Sequence, residues 1–207
     1  MNFRMIKRIG GLVALISFMV FWAIGQDMVA VTSISPRIIL DIRYATTNNF
    51  TGQQVYPSAK AYLLDPTAAK LAAVQAELEK KGLGLKVFDA FRPISVQKRF
   101  WEILPDERYV ADPKKGSRHN RGSAVDVTLV DLATGVELPM PTPYDSFSDE
   151  AGYACTNFSS AVLANRELLR STMERHGFIA FPTEWWHFDD SDWPSYPLLD
   201  LDLNDLP

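Results

Sequence analysis

The sequence is poor in thiol and imidazole, with one cysteine, Cys155, and three histidines among 207 residues. A single cysteine permits no intrachain disulfide and no metal site closed by several thiolates. Cys155 itself reads as a small buried apolar residue, the alternative being a reactive or chain-linking thiol. No G-x-x-x-x-G-K or G-x-G-x-x-G loop occurs, which removes the usual nucleotide-binding signatures. There is no internal repeat and no low-complexity block. A formal net charge of -4 gives no reason to expect nucleic acid or an anionic membrane surface as partner.

Long apolar runs are also scarce. The one at the start, Gly10 to Ile24, follows Arg4, Lys7 and Arg8, and Ala23 and Gly25 at its end supply small residues for cleavage before Gln26. That is the layout of a secretory signal peptide over 1–25, which predicts export, a periplasmic location and no lasting membrane partner after cleavage. The alternative is an uncleaved anchor, since the run is near the lower limit for a span. Residues 26–207 then suit a single domain with a real core. Nothing in this remainder specifies an oligomeric state.

What is present is concentrated in two places. One is the stretch Ser117-Arg118-His119-Asn120-Arg121-Gly122-Ser123-Ala124-Val125-Asp126, and the other is Glu184-Trp185-Trp186-His187. Together they offer two imidazoles, a carboxylate suited to a metal and a second carboxylate suited to a base. Nitrogen and oxygen donors in a set of three suit zinc with a fourth position left for water, the arrangement of catalytic zinc sites. A zinc peptidase is the reading that follows.

Hydropathy periodicity supplies the scaffold. Ile38, Leu40 and Ile42 alternate with Ile39, Asp41 and Arg43, which predicts a strand ending near Tyr44. Tyr44 is open to two readings, a site residue or a core tyrosine. Asp65-Pro66 opens a helix, with Asp65 as a possible cap, that runs through Leu71, Val74 and Leu78 to a stop at Lys80-Lys81-Gly82. A strand over Leu83 to Phe91 leads into Asp89-Ala90-Phe91-Arg92-Pro93, and a second helix begins at Pro93. Arg92 at that corner is either functional or paired with an acid on the surface.

Ser117 to Gly122 reads as loop. Ser123 to Val130 reads as a strand with Val125, Val127 and Leu129 facing a core and Asp126 facing the site. Aspartate disfavours a strand unless something compensates it, and a metal would. Gly122 would let the chain bend so that His119 and Asp126 converge. Asp145, after a proline-rich loop, is a substrate contact or a turn cap.

A third helix begins at Ser159 or Ser160 and ends at His176-Gly177, where His176 belongs to the capping turn and not to a ligand set. Phe178 to Asp189 reads as one aromatic-rich strand. Glu184 and His187 are three apart, so a regular strand would put them on opposite faces. A shared site demands a break near Pro182-Thr183-Glu184. The acidic tail from Ser191 reads as solvated surface.

Taken jointly, His119-x6-Asp126, Glu184-x-x-His187 and Asp89-x-x-Arg92-Pro93 are specific. The chain resembles the VanX-type D-alanyl-D-alanine dipeptidases, zinc enzymes related to the D,D-carboxypeptidases and the Hedgehog signalling domain. Further marks are Asp41-Ile42-Arg43-Tyr44-Ala45-Thr46, Asn48-Asn49-Phe50-Thr51-Gly52 and Pro143-Tyr144-Asp145. The resemblance implies an α+β fold, a mostly antiparallel central sheet flanked by helices. It implies one zinc ion per chain on His119, Asp126 and His187, Glu184 as general base and Arg92 against the scissile carbonyl. Asp145 is the candidate for the free amine of a small dipeptide, Ser117 and Tyr44 for its carboxylate, and Asp89 for orienting Arg92 or assisting at the amine. The rival activities are a zinc D,D-carboxypeptidase with an open cleft and a zinc-bearing binding domain without catalysis. Retention of Glu184 and Arg92 favours an enzyme.

Overall fold

The computed structural model describes residues 27–206, so the expected signal segment lies outside the described residues. In chain order the regular elements are β1 (Met28–Ala30), α1 (Val31–Ile34), β2 (Ile39–Leu40), β3 (Tyr62–Leu64), α2 (Asp65–Glu79) and β4 (Leu83–Asp89). They continue with α3 (Ile94–Ile103), β5 (Ala124–Asp131), α4 (Ser160–Arg175), β6 (Phe178–Ala180) and β7 (His187–Asp190). Among the described residues no helix is long and apolar enough to cross a membrane.

Five strands form one sheet in the order β2-β4-β5-β7-β6, and β1 pairs with β3 in a separate ribbon. Only β2·β4 is parallel; β4·β5, β5·β7 and β6·β7 are antiparallel. The expected α+β class with a mostly antiparallel sheet is therefore observed. Helix α2 packs on β4 and against α4, and α4 lies against β5 and β6. Leu71, Val74 and Leu78 of α2, Leu169 and Met173 of α4, and Val125, Val127 and Leu129 of β5 are fully buried in one core. Burial of this apolar surface, at roughly 25 cal/mol per Å², is what holds helices to sheet.

The helices follow their sequence signals closely. Pro66 sits in the first turn of α2, and Lys80 closes the helix before Gly82 at φ 73°. Asp65 is not the cap: Leu64 occupies that position without a side-chain bond, and Asp65 lies within the first turn. There its charge still favours the helix N-terminus. Ser159 caps α4 by accepting from the Val162 N–H, and His176 closes it ahead of Gly177 at φ 85°.

The strands depart further. The stretch expected as a strand to Tyr44 pairs only at Ile39–Leu40 and then tightens into a 3-10 turn over Arg43–Ala45. The Ser117–Gly122 loop holds a 3-10 turn at His119–Arg121, ended by Gly122 at φ 66°. A Cβ on Gly122 would come 3.2 Å from the Leu64 backbone nitrogen, so glycine is needed for both conformation and space.

Both faces of β5 are buried, the Val and Leu face in the core and the Asp126 face at the site. The strand is third of five, and its Asp126 face is covered by the site loops. The stretch Phe178 to Asp189 is not a single strand but a hairpin, β6 and β7, with the chain reversing through 181–186. The break expected at 182–184 is real; the aromatic content hid a full reversal. The tail is not merely solvated. Leu203 is buried, and the Leu199 N–H donates to the Asn120 carbonyl.

Candidate metal centre and active site

Sheet register builds the site. Asp126 of β5 stands directly opposite His187 of β7 and opposite Asp89 of β4. Residues opposite one another share a face, so three strands present one row, Asp89, Asp126 and His187. The Asp89 position depends on a bulge. Val87 pairs with Val127 but Asp89 pairs with Asp126, so β4 advances two residues where β5 advances one. Without it, Asp89 would share a face with Val87, away from Asp126.

His119 reaches the row from its 3-10 turn. Asn120 fixes that turn: its amide donates to the Arg92 carbonyl at 2.7 Å and accepts from the Ser117 N–H at 2.7 Å. Glu184 and His187 come from the β6–β7 connection, where the Glu184 N–H donates to the Phe181 carbonyl and the His187 N–H to the Glu184 carbonyl. Buried Trp185 and Trp186 anchor this turn, the Trp186 carbonyl accepting from the Val127 N–H of β5.

His119, Asp126 and His187 are all buried, and a ligand atom from each lies within 4.8 Å of the others. The hydrogen bonds decide which nitrogens carry protons. His119 Nδ1 is 2.7 Å from the Ala90 carbonyl, which only accepts, so Nδ1 holds the proton and Nε2 the lone pair. His187 Nε2 is 2.9 Å from the Asp189 carboxylate and Nδ1 is 3.0 Å from Asp126, so in the metal-free fold the imidazole holds a proton on each nitrogen. His187 Nδ1 faces the bare His119 Nε2 at 3.2 Å. Asp126 Oδ1 is 3.0 Å from His187 Nδ1 and 3.4 Å from His119 Nε2.

Once the His187 Nδ1 proton leaves, three donor atoms converge in one buried space, an arrangement that a cation between them satisfies. Burial works to lower the His187 pKa, but Asp189 and Asp126 outweigh it and hold it well above the usual imidazole value. Burial likewise opposes ionisation of Asp126, yet His119 and His187 keep it an anion. The set therefore fits a divalent metal, with each ligand already in its binding form once the His187 proton is displaced.

Around this cluster lies a cavity of about 140 Å³ lined by Tyr44, Arg92, Ser117, Asp145, Glu184 and Trp186 among others. Glu184 Oε2 is 4.0 Å from His187 Nδ1. Burial, reinforced by Asp126, lifts the Glu184 carboxyl to about 7 against the pull of His187, His119 and Arg92. Arg92 is buried and locked. Its Nε and Nη2 donate to Asp89 Oδ2 at 3.1 and 2.7 Å, and Nη1 donates to Gln97 Oε1 at 2.9 Å. The guanidinium lies over the rings of Tyr44 and Phe100. Of its five N–H groups, the two not used in this clamp remain for a ligand.

Asp145 occupies the left-handed region at φ 60°, and its Oδ1 accepts from the Tyr44 hydroxyl at 3.0 Å. Its Oδ2 is buried and has no hydrogen-bond partner among the described residues. Burial and Asp126 raise this carboxyl to about 7. Ser117 Oγ accepts from the His119 N–H at 3.2 Å, leaving its own proton to donate. Every residue expected at the site thus lines this cavity or, for Asp89, clamps a residue that does. His176 lies elsewhere, 2.9 Å from Glu77. Cys155 is half-buried, beside a neighbouring cavity.

The matching family model spans residues 25–203 and is described as D-ala-D-ala dipeptidase. The chain belongs to this M15 peptidase family. Members are metallopeptidases, which agrees with the donor set. The chain is similar to the D-alanyl-D-alanine dipeptidase of Escherichia coli K12, at 34% identity over 84% of this chain and 89% of that protein. It is also similar to those of Enterococcus faecium (34% identity, 76% of this chain and 87% of the relative) and Streptomyces coelicolor (31%, 78% and 90%).

Sequence reading did not reach the outer partners of the M15 site: Asp189 on His187, Gln97 on Arg92, Tyr56 on Asp89 and Tyr144 on Asp126. Only Asp189 carried a signal. It is two residues after His187 on a strand, hence on the same face.

Proposed function

We propose that this protein is a zinc-dependent dipeptidase that hydrolyses D-alanyl-D-alanine to two molecules of D-alanine. The observation that carries the substrate reading is the buried, unpartnered Asp145 Oδ2 in the cavity that holds the metal ligands. A buried carboxylate oxygen without a donor is costly, and the ammonium of a free dipeptide satisfies it. An acylated peptide nitrogen would not.

His119 through Nε2, His187 through Nδ1 and Asp126 through Oδ1 would hold one zinc ion. Zinc, when bound, supplies Lewis acidity toward water and a peptide carbonyl. Glu184, lifted toward neutrality by burial, accepts the proton of the attacking water and delivers it to the leaving amine nitrogen. The two free N–H groups of Arg92 face the negative charge that grows on the carbonyl oxygen as water adds to the carbonyl carbon. Asp89 and Gln97 hold that guanidinium in place. Asp145 takes the substrate amine, braced by the Tyr44 hydroxyl. Because that hydroxyl is already donated, Ser117 is left as the main donor to the substrate carboxylate.

A second activity, removal of D-alanine from longer peptides, is favoured by one observation. A cavity of about 750 Å³ adjoins the catalytic one and shares Glu184, Phe147 and Phe181 with it. Hydrolysis of D-Ala-D-Ala and of an N-acylated D-Ala-D-Ala peptide by zinc-loaded protein separates the two. Cleavage of the free dipeptide alone, abolished in Glu184→Ala with zinc still bound, supports the dipeptidase; cleavage mainly of the acylated peptide replaces it with a carboxypeptidase. Residues 1–25 are proposed as a cleaved signal peptide and the periplasm as the compartment, on the basic start and apolar run alone.

A further inference from the structure

Each metal-facing imidazole is aimed by one hydrogen bond from its far nitrogen, but the two bonds differ in kind. His119 donates to a neutral backbone carbonyl, whereas His187 donates to a carboxylate, Asp189. We infer that Asp189 is a positioning residue, which selects Nδ1 of His187 as the metal ligand and strengthens it as a donor.

The placement follows from the sheet. His187 and Asp189 are two apart on β7 and share a face. Asp189 stands opposite Ala124 of β5, whose small side chain leaves room for the carboxylate beside the imidazole. The Asp189 side chain is only 7% exposed, so water does not compete for it. Its second oxygen lies 3.6 Å from Arg118 Nε, and the Arg118 guanidinium is seated over the Trp193 ring at 4.5 Å.

Arg118 immediately precedes His119. One short segment therefore supplies a ligand and also braces the carboxylate that orients the other ligand. A carboxylate behind a ligating imidazole fixes its tautomer and ring orientation and raises its basicity. A backbone carbonyl supplies orientation with less polarisation, so the two imidazoles are unequal donors.

This inference rests on the metal reading of the same site. The test uses metal-stripped wild type, Asp189→Ala, Asp189→Asn and His119→Ala. Each is titrated with zinc against a chromophoric chelator and separately loaded with Co²⁺ for its visible spectrum. Asp189→Ala is expected to bind zinc about 10–100-fold more weakly, with a shifted cobalt spectrum and a metal-free melt that stays cooperative. Asp189→Asn, which still accepts from Nε2 but lacks the charge, is expected to recover part of the loss. Zinc affinity in Asp189→Ala within twofold of wild type, with an unaltered cobalt spectrum, overturns the inference. Should Asp189→Ala lose its cooperative melt, the cobalt spectrum of Asp189→Asn decides: shifted supports, identical to wild type overturns. If the metal reading itself is wrong, wild type fails to compete with the chelator, or His119→Ala binds as well as wild type.

Discussion

Asp126 and His187 face each other across the β5–β7 ladder, carboxylate oxygen 3.0 Å from Nδ1. The pair is a product of strand register, so the metal site is built into the sheet and not draped over it. A one-residue slip of β7 would turn His187 to the opposite face. His187→Ala and His119→Ala are therefore expected to lose tight zinc binding while keeping the fold, measured by metal content after dialysis beside circular dichroism.

Arg92 uses three N–H groups on Asp89 and Gln97. Arg92→Ala is expected to lower kcat by about 10²–10³ with zinc content unchanged. Arg92→Lys should restore little, because one ammonium cannot span both partners. Gln97→Leu, which frees one side of the clamp, should give a smaller loss in kcat; steady-state kinetics on the dipeptide measure all three.

Asp145 sits at φ 60°, which asparagine tolerates better than most residues. Asp145→Asn should therefore fold, yet lose the charge that meets the substrate amine. A hydrogen bond to a charged group contributes about 1.5–3 kcal/mol. The expected result is a rise in KM of about 10–100-fold for free D-Ala-D-Ala, with a smaller change for an N-acylated analogue. An equal effect on both would remove Asp145 from amine recognition.

Glu184 carries a cost that pH exposes. Burial raises its pKa from 4.5 to about 7 in the metal-free fold. Between those values the folded chain binds more protons than the unfolded one, so stability from this group falls as pH rises. Metal-free Glu184→Gln is expected to be more stable than wild type at pH 8 and to lack that part of the decline. A bound dication favours the carboxylate, so zinc should shift the Glu184 titration to lower pH, as read by carboxyl NMR.

Gly122 ends the His119 turn in the left-handed region, with the Leu64 backbone where a side chain would begin. Gly122→Ala is expected to destabilise by about 1–2 kcal/mol. It should also weaken zinc binding, because the turn carries His119. Thermal melts with and without zinc separate the two effects.

Much of this was legible in the chain. The histidines were legible because imidazole is scarce here and two of the three fall in spaced motifs with an acid, His119-x6-Asp126 and Glu184-x-x-His187. The helices Asp65–Glu79 and Ser160–Arg175 were legible because 3.6-residue periodicity, proline and glycine are local signals. The break near Glu184 was legible because an odd spacing cannot share one strand face. Its depth was not: aromatic β-formers run through the reversal, so β6 and β7 read as one strand. Nor were the brief pairing of β2 or the small ribbon of β1 and β3, since strands of two or three residues leave no period to detect.

The sequence by itself determined the donor chemistry: two imidazoles, a carboxylate for a metal, a second for a proton and an arginine at a strand end. Side-chain type is a property of the chain and survives any fold. Tertiary structure alone decided which nitrogen of each histidine turns toward Asp126, with Ala90 behind one ring and Asp189 behind the other. It also decided that a bulge at Val87/Asp89 brings Asp89 into the catalytic row. Ring orientation, register and burial arise only when distant segments share one low-dielectric space, and that is where the carboxyls of Glu184 and Asp145 are raised to about 7.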